Sequence, residues 1–526
     1  MTSTQPFLWG VATSGYQSEG GFNGPDQPQN TWSQAEQSGE VMTTGAASEF
    51  WQRYEDDFKT CREMGLTAFR MGLEWPRIQP TTNNETGLAP TYDRAVIDAY
   101  ADRIAACRQQ ELEPIVTLQH FTHPAWLGID AWLEERTISA FADYVQVTVT
   151  QLNRRLVEVH ELAPIHWYIT INEPNILVNN TYLNDQFPSE KRGGLEPIFR
   201  AYSHLLAAHV CAYNLIHDTY EAQGWPTPKV SLNTYCSDLY WSDQLIWDLL
   251  LSKQRGIQRA DIPDYVYKGA KRLETALSEA NFPFKRDLPY RLGQAVRWVA
   301  NQVGHRTFEA SKLEKFFQVL EGSVRSQVVD YLAFDYYDPF LAHTFRFPVF
   351  SDFEFETKGL RSWLVSGMMS KWWDWRSLPN GLYFFTRYYA QSFPDLPILI
   401  AENGMALRRK PDNSVVAPRQ DQLSRSNFLQ AHLGQVQRLR EEEVPLVGYM
   451  HWSLTDNYEW GSYTPRFGLF SIDFTQSRER QKIDQLGDRP SETYATFIQE
   501  HQKSTAATVS DTALHPRVSA ETSYGD

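Results

Sequence analysis

The chain has four cysteines in 526 residues (Cys61, Cys107, Cys211 and Cys236), scattered without a CxxC pair. Such sparse, scattered usage argues against a disulfide framework and against a zinc site. No run approaches the roughly 18 consecutive apolar residues that a membrane-crossing helix needs. Positive charge is also short: 49 Lys and Arg against 64 Asp and Glu leave a net charge of −15. The basic footprint of a nucleic-acid binder is therefore absent overall. No long block of like charge occurs, and the triplet Glu441–Glu443 reads as a solvated helix end. The start, Met1 to Gln5, is polar and leads straight into Phe7-Leu8-Trp9-Gly10, with no basic segment followed by an apolar one. That gives no support for a secretory signal. A cytoplasmic protein with no transmembrane segment, nucleic-acid partner, metal or cofactor is expected.

What is present is an ordinary globular composition, 42% hydrophobic and 21% charged, which excludes a largely disordered or collagen-like chain. Aromatics reach 14%, with 17 Trp, 26 Tyr and 29 Phe; large cores and apolar faces for stacking on sugar rings both fit this number. Eight short apolar, β-branched or aromatic runs recur: Phe7–Ala12, Thr67–Gly72, Pro114–His120, His166–Asn172, Lys229–Thr234, Tyr331–Tyr337, Pro397–Asn403 and Leu446–Trp452. Continuous apolar runs mark strands buried on both faces of a parallel sheet. The spacers carry helical periodicity, as in Trp51–Met64, Tyr92–Gln109 and Arg425–Arg440. The alternation fits a doubly wound open sheet or a single (β/α)8 (TIM) barrel of the α/β class. The barrel is favoured because unusual polar residues fall at the carboxyl ends of the runs: Arg70, His120, Asn172-Glu173, Asn233, Asp335, Tyr337, Glu402-Asn403 and Trp452. In a barrel these ends converge on one face, where active sites are built.

One domain is expected over 1–503, with a helical insertion after the fifth strand at about 238–325, in the longest interval between runs. Within it, Leu292, Val296, Val299 and Val303, and then Leu313, Phe316, Phe317 and Leu320, recur with helical spacing. These residues are expected to pack on one another and on the barrel rim. With the aromatic stretch Trp363 to Trp375 they could instead line an apolar channel. Residues 504–526, rich in Ser, Thr and Ala, read as a disordered tail.

Two carboxylates close apolar runs, Glu173 in Thr170-Ile171-Asn172-Glu173-Pro174 and Glu402 in Ile400-Ala401-Glu402-Asn403-Gly404. A charged group in such a place is costly without a partner or a task. Each could cap a helix or pair with an arginine such as Arg70. Cleavage of a glycosidic bond needs just this kind of pair, one carboxyl to protonate the leaving oxygen and one to attack the anomeric carbon or activate water.

The stretch Phe7-Leu8-Trp9-Gly10-Val11-Ala12-Thr13-Ser14-Gly15-Tyr16-Gln17-Ser18-Glu19-Gly20 resembles the N-terminal signature of the family 1 glycoside hydrolases, the β-glucosidase family. Ile171-Asn172-Glu173-Pro174 is similar to that family's acid/base motif and Ile400-Ala401-Glu402-Asn403-Gly404 to its nucleophile motif. Trp452-Ser453-Leu454-Thr455-Asp456-Asn457-Tyr458-Glu459-Trp460, with Arg466-Phe467-Gly468, resembles its sugar-binding block. The resemblance implies a retaining β-glycosidase, most simply a β-glucosidase, acting on a small β-glycoside through a covalent intermediate. It implies Glu402 as nucleophile and Glu173 as general acid/base, with Asn172 on the 2-hydroxyl. Tyr337 would orient Glu402, and Arg70 would hold its pKa low. Gln17, His120, Glu459 and Trp460 would meet the other hydroxyls, Trp452 would stack beneath the ring, and Trp375 would wall the aglycone side, with Phe467 in the same block.

The chain departs from the family pattern at Phe121, where a Trp is usual, at Asp335, where an Asn is usual, and at Ser491, where a basic residue is usual. Asp335 brings a third carboxyl near the pair and should raise a neighbouring pKa. Relatives that cleave 6-phosphosugars replace the Glu of the Glu-Trp pair, whereas Glu459 and Trp460 stand here, so an unphosphorylated glucosyl, galactosyl or fucosyl group is implied. Retention of Glu173 implies an O-glycosidase. A transglycosidase on the same intermediate and a catalytically silent binding protein of the same fold are the alternatives.

Overall fold

Each apolar run becomes a strand: β1 (Leu8–Ala12), β2 (Ala68–Gly72), β3 (Glu113–Thr117), β4 (Trp167–Asn172), β5 (Lys229–Tyr235), β6 (Leu332–Tyr336), β7 (Ile398–Asn403) and, after a two-residue β8 (Leu407–Arg408), β9 (Leu446–Trp452). The computed structural model describes residues 6–501 apart from 81–88, 342–371 and the single positions 185, 192, 285, 411, 417, 418 and 420. Strands β1 to β7 and β9 close a barrel in chain order, every neighbouring pair parallel. The pairing of β9 back onto β1, with Leu8 opposite Gly448 and Ala12 opposite Trp452, rules out the open sheet. A separate two-stranded antiparallel sheet joins β8 to β10 (Pro465–Arg466).

The strands read as continuous apolar runs because both faces are buried. Leu8, Ala68, Ile115, Trp167, Ile169, Tyr331, Ala333, Leu399 and Met450 point inward and form one apolar cluster. Their chain neighbours Trp9, Phe69, Val116, Tyr168, Leu232, Phe334, Ile400 and Tyr449 point outward into a second. That second cluster meets a ring of helices, among them Phe50–Glu63, Arg94–Gln109, Arg136–Glu158, Leu195–Gln223, Pro379–Ser392 and Arg425–Glu441. Where the sequence supplies a cap it is used: Asp93 accepts from Val96 N (3.2 Å) and Ser424 from Asn427 N (3.2 Å), filling orphan donors of the first turn. The run expected at Pro114–His120 ends as a strand at Thr117, and His120 stands on the loop beyond, where Phe121 takes a left-handed φ of 68°.

The insertion after β5 is helical, with helices Gln244–Leu250, Ile262–Glu279, Leu288–Thr307 and Glu314–Gly322. Leu313, Phe316, Phe317 and Leu320 are buried, and Phe316 N donates to Ser203 Oγ (3.1 Å) on the long helix Leu195–Gln223. The other expected set behaves differently: Leu292, Val296, Val299 and Val303 are exposed. The stretch 363–371 and the tail 504–526 lie outside the described residues, while Trp372, Trp373 and Trp375 pack with the inner barrel cluster. Among the described residues no helix is long and apolar enough to cross a membrane.

Gly10 marks a point where the barrel tolerates no side chain. A Cβ there would lie 2.4 Å from Met450 Sδ and 2.6 Å from the backbone oxygen of Ala68. Met450 can swing aside, but the strand cannot. Gly10→Val should cost about 1–3 kcal/mol through overpacking, read as a lower urea midpoint with an unchanged slope.

Candidate active site

At the carboxyl end of the barrel, two of the strands that carry the paired glutamates break register. The ladder between β4 and β5 shifts between Ile169 and Asn172, and that between β7 and β9 shifts between Ile400 and Asn403. Strict alternation would turn Asn172 and Glu402 out of the barrel, because Ile169 and Ala401 already face inward. One extra residue in each strand re-aims them, as a bulge does. Glu173 follows in a left-handed conformation (φ 37°, ψ 64°) and opens the short helix Pro174–Val178, whose Pro at the first turn needs no N–H partner.

Arg70, fully buried on β2, ties these ends together. Its Nη1 donates to Glu402 Oε1 (2.8 Å) and to the backbone oxygen of Ala401 (3.0 Å), its Nε to Thr117 Oγ1 (3.1 Å), and its Nη2 to Asn172 Oδ1. Asp335 Oδ1 lies 3.6 Å from Nη1. Tyr337 donates its hydroxyl to Glu402 Oε2 (2.7 Å). Oxygens of Glu173, Asp335 and Glu402 all lie within 4.8 Å of one another. Three carboxyls thus share one guanidinium, and they respond unequally. Burial pushes the Glu402 pKa up, while Arg70 and the Tyr337 hydroxyl pull it back. Glu173 is pushed well above the carboxylate range by burial, then by Asp335 and Glu402, and its Oε1 accepts no hydrogen bond. Asp335 is also pushed well up, by burial and by Glu402. The expectation that Arg70 holds the Glu402 pKa low is therefore corrected: desolvation outweighs the arginine, and Arg70 only keeps Glu402 the least raised of the three.

A second group of expected residues lies beside this one. Glu459 accepts from Trp452 Nε1 (3.0 Å) and Gln17 Nε2 (3.1 Å), and burial pushes its pKa up to about 8. The His120 ring lies nearly parallel to both Trp452 and Trp460, with centroids 5.7 and 5.8 Å away, and burial and Arg70 push its pKa down. Its Nε2 sits 3.3 Å from Asn172 Nδ2, which joins the two groups. Phe121 packs on Trp460 and Phe187. On the opposite side, Trp375 and Phe467 flank Tyr337 at 5.3 and 5.9 Å. The structure therefore places every residue expected at the site in these two adjoining groups or on their flank of Trp375 and Phe467.

Two contributions go beyond the roles read from the sequence. Asn233 on β5 donates to Asn172 Oδ1 (2.9 Å) and to Asp335 Oδ2; a polar residue at the end of an apolar run was its only signal. Behind Gln17, a buried pair of carboxyls pins the short helix Gly15–Glu19. Glu74 accepts from Tyr16 N (3.0 Å) and Thr122 Oγ1 (2.9 Å), and Glu19 from Arg77 Nε (2.9 Å) and Tyr100. No spacing in the sequence announces that pair.

A closed parallel barrel with clustered carboxyls at the carboxyl ends of its strands is an architecture of enzymes that cleave glycosidic bonds. The chain belongs to glycosyl hydrolase family 1, whose profile matches residues 2–485. It is 27% identical over 520 residues to the bifunctional β-D-glucosidase/β-D-fucosidase of Bifidobacterium breve, covering 94% of this chain and 98% of that protein. A 6-phospho-β-galactosidase of Staphylococcus aureus is 25% identical over 503 residues, covering 92% and 97%. The solved β-glucosidase from Thermotoga maritima in complex with azafagomine superimposes with a TM-score of 0.64 at 20% identity over 94% of this chain and 97% of that one, a likeness of fold.

Burial and the Glu19 charge raise the Glu74 pKa to about 8. Its unfolded value is about 4.3, so the folded chain holds a proton that the unfolded chain releases. Glu74 consequently costs stability progressively as pH rises from about 4 to about 8. Glu74→Gln removes that dependence, and urea titrations should find it gaining on the wild type between about pH 5 and about pH 8.

Proposed function

We propose that this family 1 glycosidase is a retaining β-glycosidase of the cytoplasm that hydrolyses terminal, unphosphorylated β-D-glucosyl groups, with galactosyl or fucosyl groups as close competitors. The observation that carries the reading is the unequal pair at the barrel mouth. Carboxyl oxygens of Glu173 and Glu402 lie within 4.8 Å of each other, in keeping with the roughly 5–5.5 Å separation of retaining pairs and short of the spacing that admits a water between them. Glu402, anchored by Arg70 and Tyr337, is the group easier to ionise and takes the nucleophile's part. Glu173, kept protonated by burial and by two neighbouring carboxyls, takes the acid's part. In the first step Glu402 attacks the anomeric carbon as Glu173 gives its proton to the leaving oxygen. In the second, Glu173 as carboxylate takes a proton from water, which displaces Glu402.

The other group supports the choice of sugar. Gln17, His120, Trp452, Glu459 and Trp460 offer hydrogen-bonding groups and ring faces suited to a hexose, with Asn172 nearest the carboxyl pair. The Glu402 and Asp456 carboxyls both act on Glu459 and help burial raise its pKa. A 6-phosphate placed there would meet these carboxyls, which supports an unphosphorylated sugar. Trp375 and Phe467 beside Tyr337 suit an apolar or aromatic aglycone. Neither cofactor nor metal enters this chemistry.

Assays of aryl β-glycosides, with and without a 6-phosphate, test the substrate. Activity confined to the phosphorylated sugars would overturn it. Glu402→Ala should abolish turnover of every substrate, because no covalent intermediate forms. Glu173→Ala should slow poor leaving groups by roughly 10²–10⁴-fold and good ones far less. Azide should rescue it as the β-glycosyl azide. Equal losses on good and poor leaving groups, without rescue, would void the assignment.

The third carboxyl fixes the pH dependence. The Asp335 charge raises the Glu173 pKa, so Asp335→Asn lets Glu173 lose its proton earlier. The alkaline limb of kcat/KM should move to lower pH, and the acidic limb, set by Glu402, should move less. An unmoved alkaline limb would show that Asp335 is neutral throughout; the limbs belong to the coupled cluster.

A further inference from the structure

The insertion helix Leu288–Thr307 is docked the wrong way round for a helix in water. Its buried side carries Gly293 and Asn301, with Arg297 and Gly304 half-buried beside them. Arg297 reaches Asp238, donating from Nε to the Asp238 backbone oxygen (3.3 Å) and lying 3.5 Å from its carboxylate. Gly304 lets the helix close on Trp241, whose ring a Cβ would meet at 2.4 Å. The apolar residues face out: Leu288 is 60% exposed, Leu292 49%, Val299 50%, Val303 43% and Trp298 65%. At 100° per residue, Leu288, Leu292, Ala295, Val299 and Val303 fall on one stripe, with Trp298 and Arg291 along one edge.

The charge around that stripe is as unusual as its exposure. Residues 285–306 hold five Lys and Arg and one acid, Asp287, in a chain of net charge −15. Arg286, Arg291 and Arg306 are exposed. An apolar stripe edged by Trp and Arg is the pattern of helices that lie in a membrane interface, where apolar side chains enter the acyl boundary and guanidiniums meet anionic headgroups. A second copy of the same helix would bring these arginines against their own kind, which disfavours self-pairing. The helix is far from spanning; it suits lying on a surface.

Its position adds to this. The segment Phe282–Phe284 just before the helix packs on Phe340, beyond β6, and Arg297 reaches Asp238, just beyond β5. Both contacts are on the face of the barrel that holds the carboxyl cluster.

We propose that the exposed face of the helix Leu288–Thr307 docks the protein onto an anionic lipid bilayer. The inference is independent of the glycosidase's substrate. Co-sedimentation of the full chain with phosphatidylcholine vesicles, with and without phosphatidylglycerol, tests it. Binding should be roughly tenfold or more stronger to the anionic vesicles and weaken with salt. The double variant Trp298→Glu with Val299→Asp should lose that binding while turning over an aryl glycoside in solution at the wild-type rate, which certifies its fold. Three results would overturn the proposal. One is failure to bind either vesicle. Another is equal binding by wild type and variant. The third is a polarity-sensitive dye on Val299→Cys that reports an apolar environment without vesicles, because another part of the chain or a second copy then covers the face.

Discussion

Arg70, in the middle of β2 with its side chain inside the barrel, is the cation on which the carboxyl cluster depends. Glu173, Asp335 and Glu402 are buried together, and a carboxylate taken out of water is tolerated only when paired or neutralised. One guanidinium cannot neutralise three. The remaining electrostatic cost raises the pKa of all three, and it raises Glu173 and Asp335, with the weaker hold on the arginine, well above the usual range. Unequal contact with Arg70 thus sets these carboxyls apart in how readily they ionise. The same guanidinium reaches Asn172, so the geometry of β4 and the ionisation of β7 rest on one side chain.

Around this centre the barrel uses rigid elements for what must be exact in position. Thr117, Asn172, Asn233 and Asp335 are strand residues whose side chains face inward above the apolar layers, and their hydrogen bonds run from strand to strand around the wall. Apart from Trp452 at the end of β9, the residues of the second group come from loops and a short helix, and that helix is braced from behind by the Glu19 and Glu74 network. Polar side chains are thereby spent twice, once facing the site and once supporting what faces it.

The fold was legible because a parallel barrel writes itself plainly. Both faces of each strand are buried, so the runs are continuous and apolar, and their polar terminations mark the functional end. The strand boundaries moved by only a residue or a few, most at β3, where His120 belongs to the loop. The candidate site was legible through the motifs that carry its residues, those of Glu173 and Glu402 above all. What stayed hidden depends on packing across long chain separations. Nothing near Asn233 says that its amide bridges two other strands, and the balance between burial and Arg70 at Glu402 can be weighed only with both neighbours in place. The helix Leu288–Thr307 shows the limit most clearly: its apolar period was visible, but which side of it faces the protein was decided by Gly304, Arg297 and Asp238.

The extra residues in β4 and β7 carry a consequence for how such a barrel can be remodelled. A strand's parity acts as an address, and these two addresses are changed one step before the functional side chains. Any loop exchanged at the barrel mouth must therefore be joined beyond Glu173 and beyond Asn403. Loss of one residue between Ile169 and Asn172, or between Ile400 and Glu402, would leave the chain closed and the helices packed, yet point Asn172 or Glu402 into the helical layer. Length, more than identity, is what those two strand ends cannot give up.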